Sequence, residues 1–509
     1  MQQLTVLLGV PPLERRAMRS PNPRPAPAPQ AQQALGSGQL ASLLPALHGR
    51  DTPYRLLAQA ISQLVLDGRI ALHVRLPSER ALAQALGASR TLVNYAYNLL
   101  KETGFARSHR GSGTFTSLPE GRTPTNVART VRAEDSVIDL ARASPGLPPQ
   151  ELAEALRSTA QQLIAQSPTP GYHPYGLPDL RAMVAAHFTE RGLATIPEQI
   201  LITSGAQHAV SLALGLLCSP GDRVLVETPT YPNALEALRR QCLHAVTVPV
   251  GPDGWDPDIM DATLRQTVPH AAFLIPDFHN PTGLVMPAQT RTRILRTAQR
   301  TGTWLLVDET LADLALDVAP PTSFACHASP AESSRMITIG SMSKSFWAGL
   351  RVGWLRAPAN LIDELASYRI ATDLGGSVVD QLLAQHLLGR RGDLLPSRLE
   401  QLRAQRAELQ AALKEHLPSW SWRQPEGGLS LWVDVGRPAA SVIAERAGGL
   451  GVRIESGSWF SADPGVCETR LRIPYTLPPS VLREAARLLA EAHGEDPCRS
   501  SHRRPQWIA

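Results

Sequence analysis

Lysine is almost missing from this 509-residue chain. Lys101, Lys344 and Lys414 are the only three among 50 basic residues, so chemistry that needs a primary amine has three candidates. Cysteine is scarce too. The five, Cys218, Cys242, Cys326, Cys467 and Cys498, are odd in number, far apart and never spaced C-x-x-C. That excludes a disulfide scaffold and a zinc knuckle, predicts no metal site, and fits a reducing compartment. Long apolar runs are also lacking: the most apolar uncharged stretch, 200–221, carries Thr, Ser, Gln, His and Pro. The first residues have no basic start followed by an apolar core and a cleavage site. Neither a membrane span nor secretion is expected, and the expected location is the cytoplasm. No internal repeat is visible.

With 43% apolar residues the chain can bury large cores, and its length suits about three average domains. Residues 1–48 contain Pro21, Pro23, Pro25, Pro27 and Pro29 in a Pro, Ala and Gln bias, which predicts a disordered tail. Residues 50–118 predict a small helical domain. It holds nine basic residues against four acidic ones, as much as the whole formal net charge of +5, which suits a contact with a polyanion. Residues 119–136 read as a polar linker. From 137 to 495, strand-like runs such as 223–227, 272–275, 304–307 and 336–339 alternate with helical stretches such as 288–300. This predicts an α/β domain on a mostly parallel sheet. Residues 496–509 form a basic tail.

Inside 50–118, Ser78 can cap a helix that ends at Gly87, and Ser89 can cap another starting about three residues later. Two short helices joined so tightly predict a helix-turn-helix. The second would read DNA with Ser89, Arg90, Thr91 and Asn94, while Leu92, Val93, Ala96 and Leu100 face inward. Residues 105–115, with Arg107, His109, Arg110, Gly111 and Gly113, predict a two-stranded wing with a basic, glycine-rich tip. The runs L-P-S-E-R-x-L-A (76–83), L-G-A-S-R-T (86–91) and G-S-G-T-F (111–115) resemble the winged helix-turn-helix domain of the GntR family. The resemblance implies that Arg80, Ser89, Arg90, His109 and Gly111 contact DNA. At Asn94 several relatives carry a basic side chain.

In the larger domain Lys344 stands apart. It follows the strand-like 336–339 in a small-residue loop, Gly340 to Ser345, where an amine can lose solvation as a Schiff-base lysine must. Arg351, seven residues on, suits bidentate phosphate binding, and Ser341 and Ser343 offer hydroxyls to the same group. The loop Ser204 to Gln207 feeds a helix start and offers the amides of Gly205, Ala206 and Gln207 to an anion. Asp308 ends the strand 304–307 at the crevice edge, where a carboxylate can keep a pyridine nitrogen protonated.

These positions resemble the fold-type I aminotransferase family in the order G-Y-H-P-Y-G-L-P-D-L-R (171–181), T-S-G-A-Q (203–207), P-D-F-H-N-P-T-G (276–283), V-D-E (307–309), S-M-S-K (341–344), G-L-R-V-G (349–353) and P-E-G-G-L-S-L-W (425–432). Paired with the first domain, they resemble the MocR subfamily of bacterial transcription regulators. The resemblance implies pyridoxal 5′-phosphate held covalently by Lys344. Asp308 would sit on the ring nitrogen, Asn280 on the ring oxygen and Tyr231 against the ring. The phosphate would fall to Gly205, Ala206, Gln207, Ser341, Ser343 and Arg351, with Tyr172 reaching over from a partner in a homodimer. Arg472 would bind a substrate or effector carboxylate. The family usually has a tyrosine two or three residues after the aspartate; Thr310 and Leu311 stand there instead. Phe278 and His279 replace a common His-Gln.

The expectation is a transcription regulator on a double-stranded DNA operator, whose large domain senses the cofactor or its amino acid adduct. A working aminotransferase, moving an amino group between an amino acid and a 2-oxo acid, is the alternative. A DNA-binding protein whose large domain only dimerises is a third.

Overall fold

The computed structural model describes residues 34–45, 53–109, 112–119, 137–463 and 465–494. The winged domain starts earlier than expected. Helix α1 (Ser37–Leu43) lies within the stretch read as a disordered tail, and its Leu40 is fully buried in one core with Leu57, Ile61 and Leu82. Leu35, Leu40, Leu43 and Leu44 give this segment an apolar face that the proline-rich residues before it lack, so 34–45 fold. The rest of the expected tail, 1–33 and 46–48, lies outside the described residues, as do linker residues 120–136 and the basic tail 496–509.

Helices α2 (Pro53–Leu66), α3 (Glu79–Leu86) and α4 (Arg90–Glu102) pack on one core. Ser78 Oγ accepts the Ala81 amide at 3.2 Å to start α3, and Gly87, left-handed at φ 61°, ends it. Ser89 Oγ accepts the Leu92 amide at 3.2 Å to start α4. Each such cap contributes roughly 1 kcal/mol. The wing is the antiparallel pair β1 (Ala106–His109) and β2 (Gly113–Thr116).

The large domain begins with β3 (Ile138–Asp139). Its main sheet is built from β4 (Ile200–Thr203), β5 (Arg223–Thr228), β6 (His244–Gly251), β7 (Gly254–Trp255), β8 (Ala271–Leu274), β9 (Trp304–Asp308), β10 (Met336–Ser341) and β11 (Gly353–Arg356), ordered β4-β11-β10-β9-β8-β5-β6-β7. Strands β6, β5, β8, β9 and β10 run parallel, as expected of near-continuous apolar runs covered on both faces. β11 inserts antiparallel between β10 and β4, so the expected α/β class holds as a mixed sheet.

A second sheet, β12 (Ser421–Trp422), β13 (Ser430–Asp434), β15 (Glu455–Ser456) and β16 (Arg470–Pro474), is antiparallel in the order β12-β13-β16-β15. It is covered by the helices Arg391–His416, Ala440–Gly449 and Pro479–Gly494. The intervening β14 (Val452–Arg453) pairs in parallel with β3. The first strand of the large domain is thereby tied to its last part, and residues 140–144 are drawn past the end of the main sheet. Among the described residues no helix is long and apolar enough to cross a membrane.

Candidate functional site

The helix-turn-helix presents Arg80, Ser89, Arg90 and Thr91 on its exposed surface, while Val93, Ala96, Tyr97 and Leu100 are buried. Asn94 is half-buried. Its amide donates to Glu79 Oε1 at 2.9 Å, and Arg90 Nε lies 3.4 Å from the other Glu79 oxygen. One acidic residue at the start of α3 thus holds two residues of the recognition helix. His109 is exposed at the end of β1 with its ring 5.5 Å from Phe115. Arg110 and Gly111 lie outside the described residues.

The C-terminal ends of the parallel strands open into a cleft with a cavity of about 150 Å³. Strand β9 delivers Asp308, β10 ends on Ser341, and the short helix Met342–Ser345 after it delivers Ser343 and Lys344. Lys344 is half-buried in the cleft wall, and desolvation there, seconded by the nearby Arg472 charge, brings its amine down to about 8. Its Nζ donates to the Ala143 carbonyl at 2.8 Å. A neutral amine at moderate pH is what nucleophilic capture of an aldehyde requires. Burial pushes the Asp308 carboxyl up, against hydrogen bonds from Thr310 and attraction by Lys344. The Thr310 amide donates to Asp308 Oδ1 at 2.9 Å, and its hydroxyl also serves Asp308. Thr310, one of the two residues that stand where the family usually has a tyrosine, is therefore turned to the carboxylate.

An anion cradle forms where two loops nearly touch. Gly205 caps the helix Ala206–Leu217 at φ 87°, and a Cβ placed there would stand 2.8 Å from Arg351 Nη2. At Gly353 a Cβ would meet the Ala206 amide nitrogen at 2.7 Å. Only glycine leaves room for a helix start and a guanidinium to close on one ligand. Ser341 Oγ and Ser343 Oγ lie 3.0 Å apart beside it. The buried Gln207 Oε1 has no partner. A half-buried lysine, a carboxylate at a strand end and a glycine-lined anion cradle fit pyridoxal phosphate.

The cleft is also lined by Tyr231 and Asn280. Tyr231 continues into a neighbouring groove that holds Arg472, Trp459 and Phe460. Arg472 sits on β16 with its guanidinium 4.9 Å from the Phe460 ring centre, and its Nη2 donates to the Ala141 carbonyl. Burial brings it down to about 10. Tyr172 is 68% exposed and does not line this chain's own cleft. Sequence reasoning missed Ala141, Ala143, Ser144 and Ser430. The first two act through backbone carbonyls, which have no side-chain signature; Ser144 donates to the Ser343 carbonyl at 3.0 Å. It also missed His279, wholly buried with Nε2 3.3 Å from Glu227, beneath the turn that carries Asn280.

Residues 136–489 match the family described as aminotransferase class I and II, and residues 53–116 match the gntR family of bacterial regulatory proteins. A 2-aminoadipate transaminase of Thermus thermophilus is 33% identical, the match covering 68% of this chain and 86% of that protein. The probable rhizopine catabolism regulatory protein MocR of Rhizobium meliloti is 26% identical over 81% of this chain and 89% of its own length. Among solved structures, the α-aminoadipate aminotransferase LysN of Thermus thermophilus, complexed with N-(5′-phosphopyridoxyl)-L-leucine, superposes with a TM-score of 0.65 at 28% identity, covering 70% of this chain and 92% of that one. The chain belongs to the aminotransferase class I and II family and, through the gntR-type domain in front of that region, to its MocR-type regulators.

Proposed function

We propose that this protein is a pyridoxal-phosphate-dependent transcription regulator whose aminotransferase-like domain senses the cofactor or its adduct with an amino acid. The observation that carries this reading is one cleft lined by Lys344, Asp308, Ser341, Ser343 and Arg351, in the same chain as an exposed recognition helix. The cofactor supplies an aldehyde that captures amines and a ring that accepts electron density. Lys344 binds the aldehyde carbon, Asp308 holds the ring nitrogen, Asn280 holds the ring oxygen, and Tyr231 flanks the ring. Gly205, Ala206, Gln207, Ser341, Ser343 and Arg351 take the phosphate, and Arg472 takes the effector carboxylate.

The DNA contacts we assign are Arg80, Ser89, Arg90, Thr91 and His109, with Asn94 after release from Glu79 and with Arg110 and Gly111 at the wing tip. Leu156, Ile164, Tyr172, Tyr368, Ile370 and Leu374 are large apolar side chains left exposed, which supports a homodimer in which Tyr172 reaches the partner's phosphate. Such a regulator works in the cytoplasm, beside its DNA.

Borohydride reduction of the yellow, cofactor-saturated protein should place the cofactor mass on Lys344, and Lys344→Ala should remove it. A colourless protein that cannot be loaded sinks the reading. The placing of Lys344 and Asp308 in the cleft, with Arg472 in the groove that joins it at Tyr231, also supports an aminotransferase. Steady turnover of an amino acid and 2-oxo acid pair at about 1 per second or more would favour that second reading.

A further inference from the structure

We propose that the winged domain docks through its turn at 66–73 onto both walls of the ligand cleft at once, and that this surface couples the cleft to the DNA-reading helix. The inference rests on the function proposed above. One wall is the main sheet. The other, residues 457–463 and 465–469 leading into β16, lies along the adjoining groove that holds Arg472 and meets the cleft at Tyr231.

The Cys467 amide donates to the Leu66 carbonyl at 2.6 Å, and Thr469 Oγ1 donates to Asp67 Oδ1 at 3.1 Å. Next to them Gly68 is left-handed at φ 71°. A Cβ there would stand 2.8 Å from Val466 Cγ1 and 3.1 Å from Thr228 Cγ2, so this one residue is wedged between the two walls. Asp463 closes the junction, hydrogen-bonded to the Leu72 backbone of the winged domain and to the Thr247 side chain on β6. Further along, the Ala34 amide donates to Gln266 Oε1 on the main-sheet side at 3.2 Å.

The same two stretches present the ligand-facing groups. Tyr231 follows Thr228 by three residues, and Arg472 follows Thr469 by three. The Thr230 amide donates to the Phe460 carbonyl at 2.7 Å, and the Phe460 ring supports the Arg472 guanidinium. A ligand held by the ring pocket and by Arg472 together resets the spacing of the two walls, and a turn fastened to both must follow. The fastening is conditional. Burial works against the Asp67 carboxylate, while Gln63, Arg470 and Thr469 support it. If the walls separate Thr469 from Asp67, the half-buried carboxylate loses a partner and docking weakens.

The test uses the full chain, a duplex selected from random sequence by the wild type, and the phosphopyridoxyl adduct of glycine, which presents a carboxylate without a side chain that could misfit. In the wild type, replacing the cofactor by this adduct should change the DNA Kd by about fivefold or more, and alter hydrogen exchange at 66–73. Thr469→Val should bring that ratio to within about twofold of one while the yellow band and binding to the duplex persist. Gly68→Ala, which pushes on Val466, should do the same. Variants that keep the wild-type ratio overturn the inference, as does exchange at 66–73 that ignores the adduct. A wild type without a yellow band, or without DNA binding, instead overturns the function proposed above and this inference with it.

Discussion

Lys344 and Arg472 hydrogen-bond to carbonyls two residues apart on one strip of chain, Ala143 and Ala141. The strip follows β3, whose pairing with β14 fixes its register, so a single backbone segment spaces the amine from the guanidinium. It also keeps two cations close enough for Arg472 to help lower Lys344.

That relationship sets a pH dependence. The shift is downward, from 10.5 to about 8, so the reactive neutral amine is abundant above about pH 8 and is lost as pH falls through it. The rate at which the yellow band forms in cofactor-free protein should rise about tenfold per pH unit below 8 and level off above it. In Arg472→Gln the midpoint should move upward. A wild-type rate still climbing steeply near pH 10 would show an unperturbed lysine.

Thr310 spends its amide and its hydroxyl on Asp308. Thr310→Val removes the hydroxyl bond to a buried carboxylate and should cost about 1 kcal/mol, or about fivefold in cofactor Kd measured by absorbance titration. Asp308→Asn, which cannot hold a proton on the ring nitrogen, should weaken binding further and shift the band.

Arg90 meets Glu79 at 3.4 Å on the surface, a pair worth no more than about 1 kcal/mol, so it is free to exchange that carboxylate for a phosphate. Arg90→Ala should weaken DNA binding and reduce the slope of log affinity against log salt by about 0.9. Mobility shifts at several salt concentrations read both.

Leu40 is fully buried although it lies in a segment whose composition argues for disorder. Leu40→Ala should destabilise the winged domain by about 2–5 kcal/mol in urea denaturation, whereas deleting residues 1–33 should leave that transition in place. An unchanged midpoint in Leu40→Ala would show that α1 contributes nothing to the core.

The strands β5, β8, β9 and β10 were legible because a parallel sheet covered on both faces needs short uninterrupted apolar runs, and the cleft announces itself through Gly205, Asp308 and Lys344. The two helix starts at Ser78 and Ser89 were legible for a similar reason, since a hydroxyl one residue before a helix has a local job. Helix α1 was masked by its neighbours: prolines at 21–29 dominate the composition, while Leu35, Leu40, Leu43 and Leu44 are too few to show a period on their own.

Local order, the identity of the amine and the anion cradle were thus determined by the residues themselves, because each depends on neighbours within about one helical turn or one strand length. What only the tertiary structure decided is which distant backbone serves them. Ala141 and Ala143 receive the two cations because β3 pairs with a strand more than three hundred residues later, and Asp67 meets Thr469 across four hundred residues. Such partners are brought together by packing, where any residue supplies the same carbonyl, so no pattern along the chain records them.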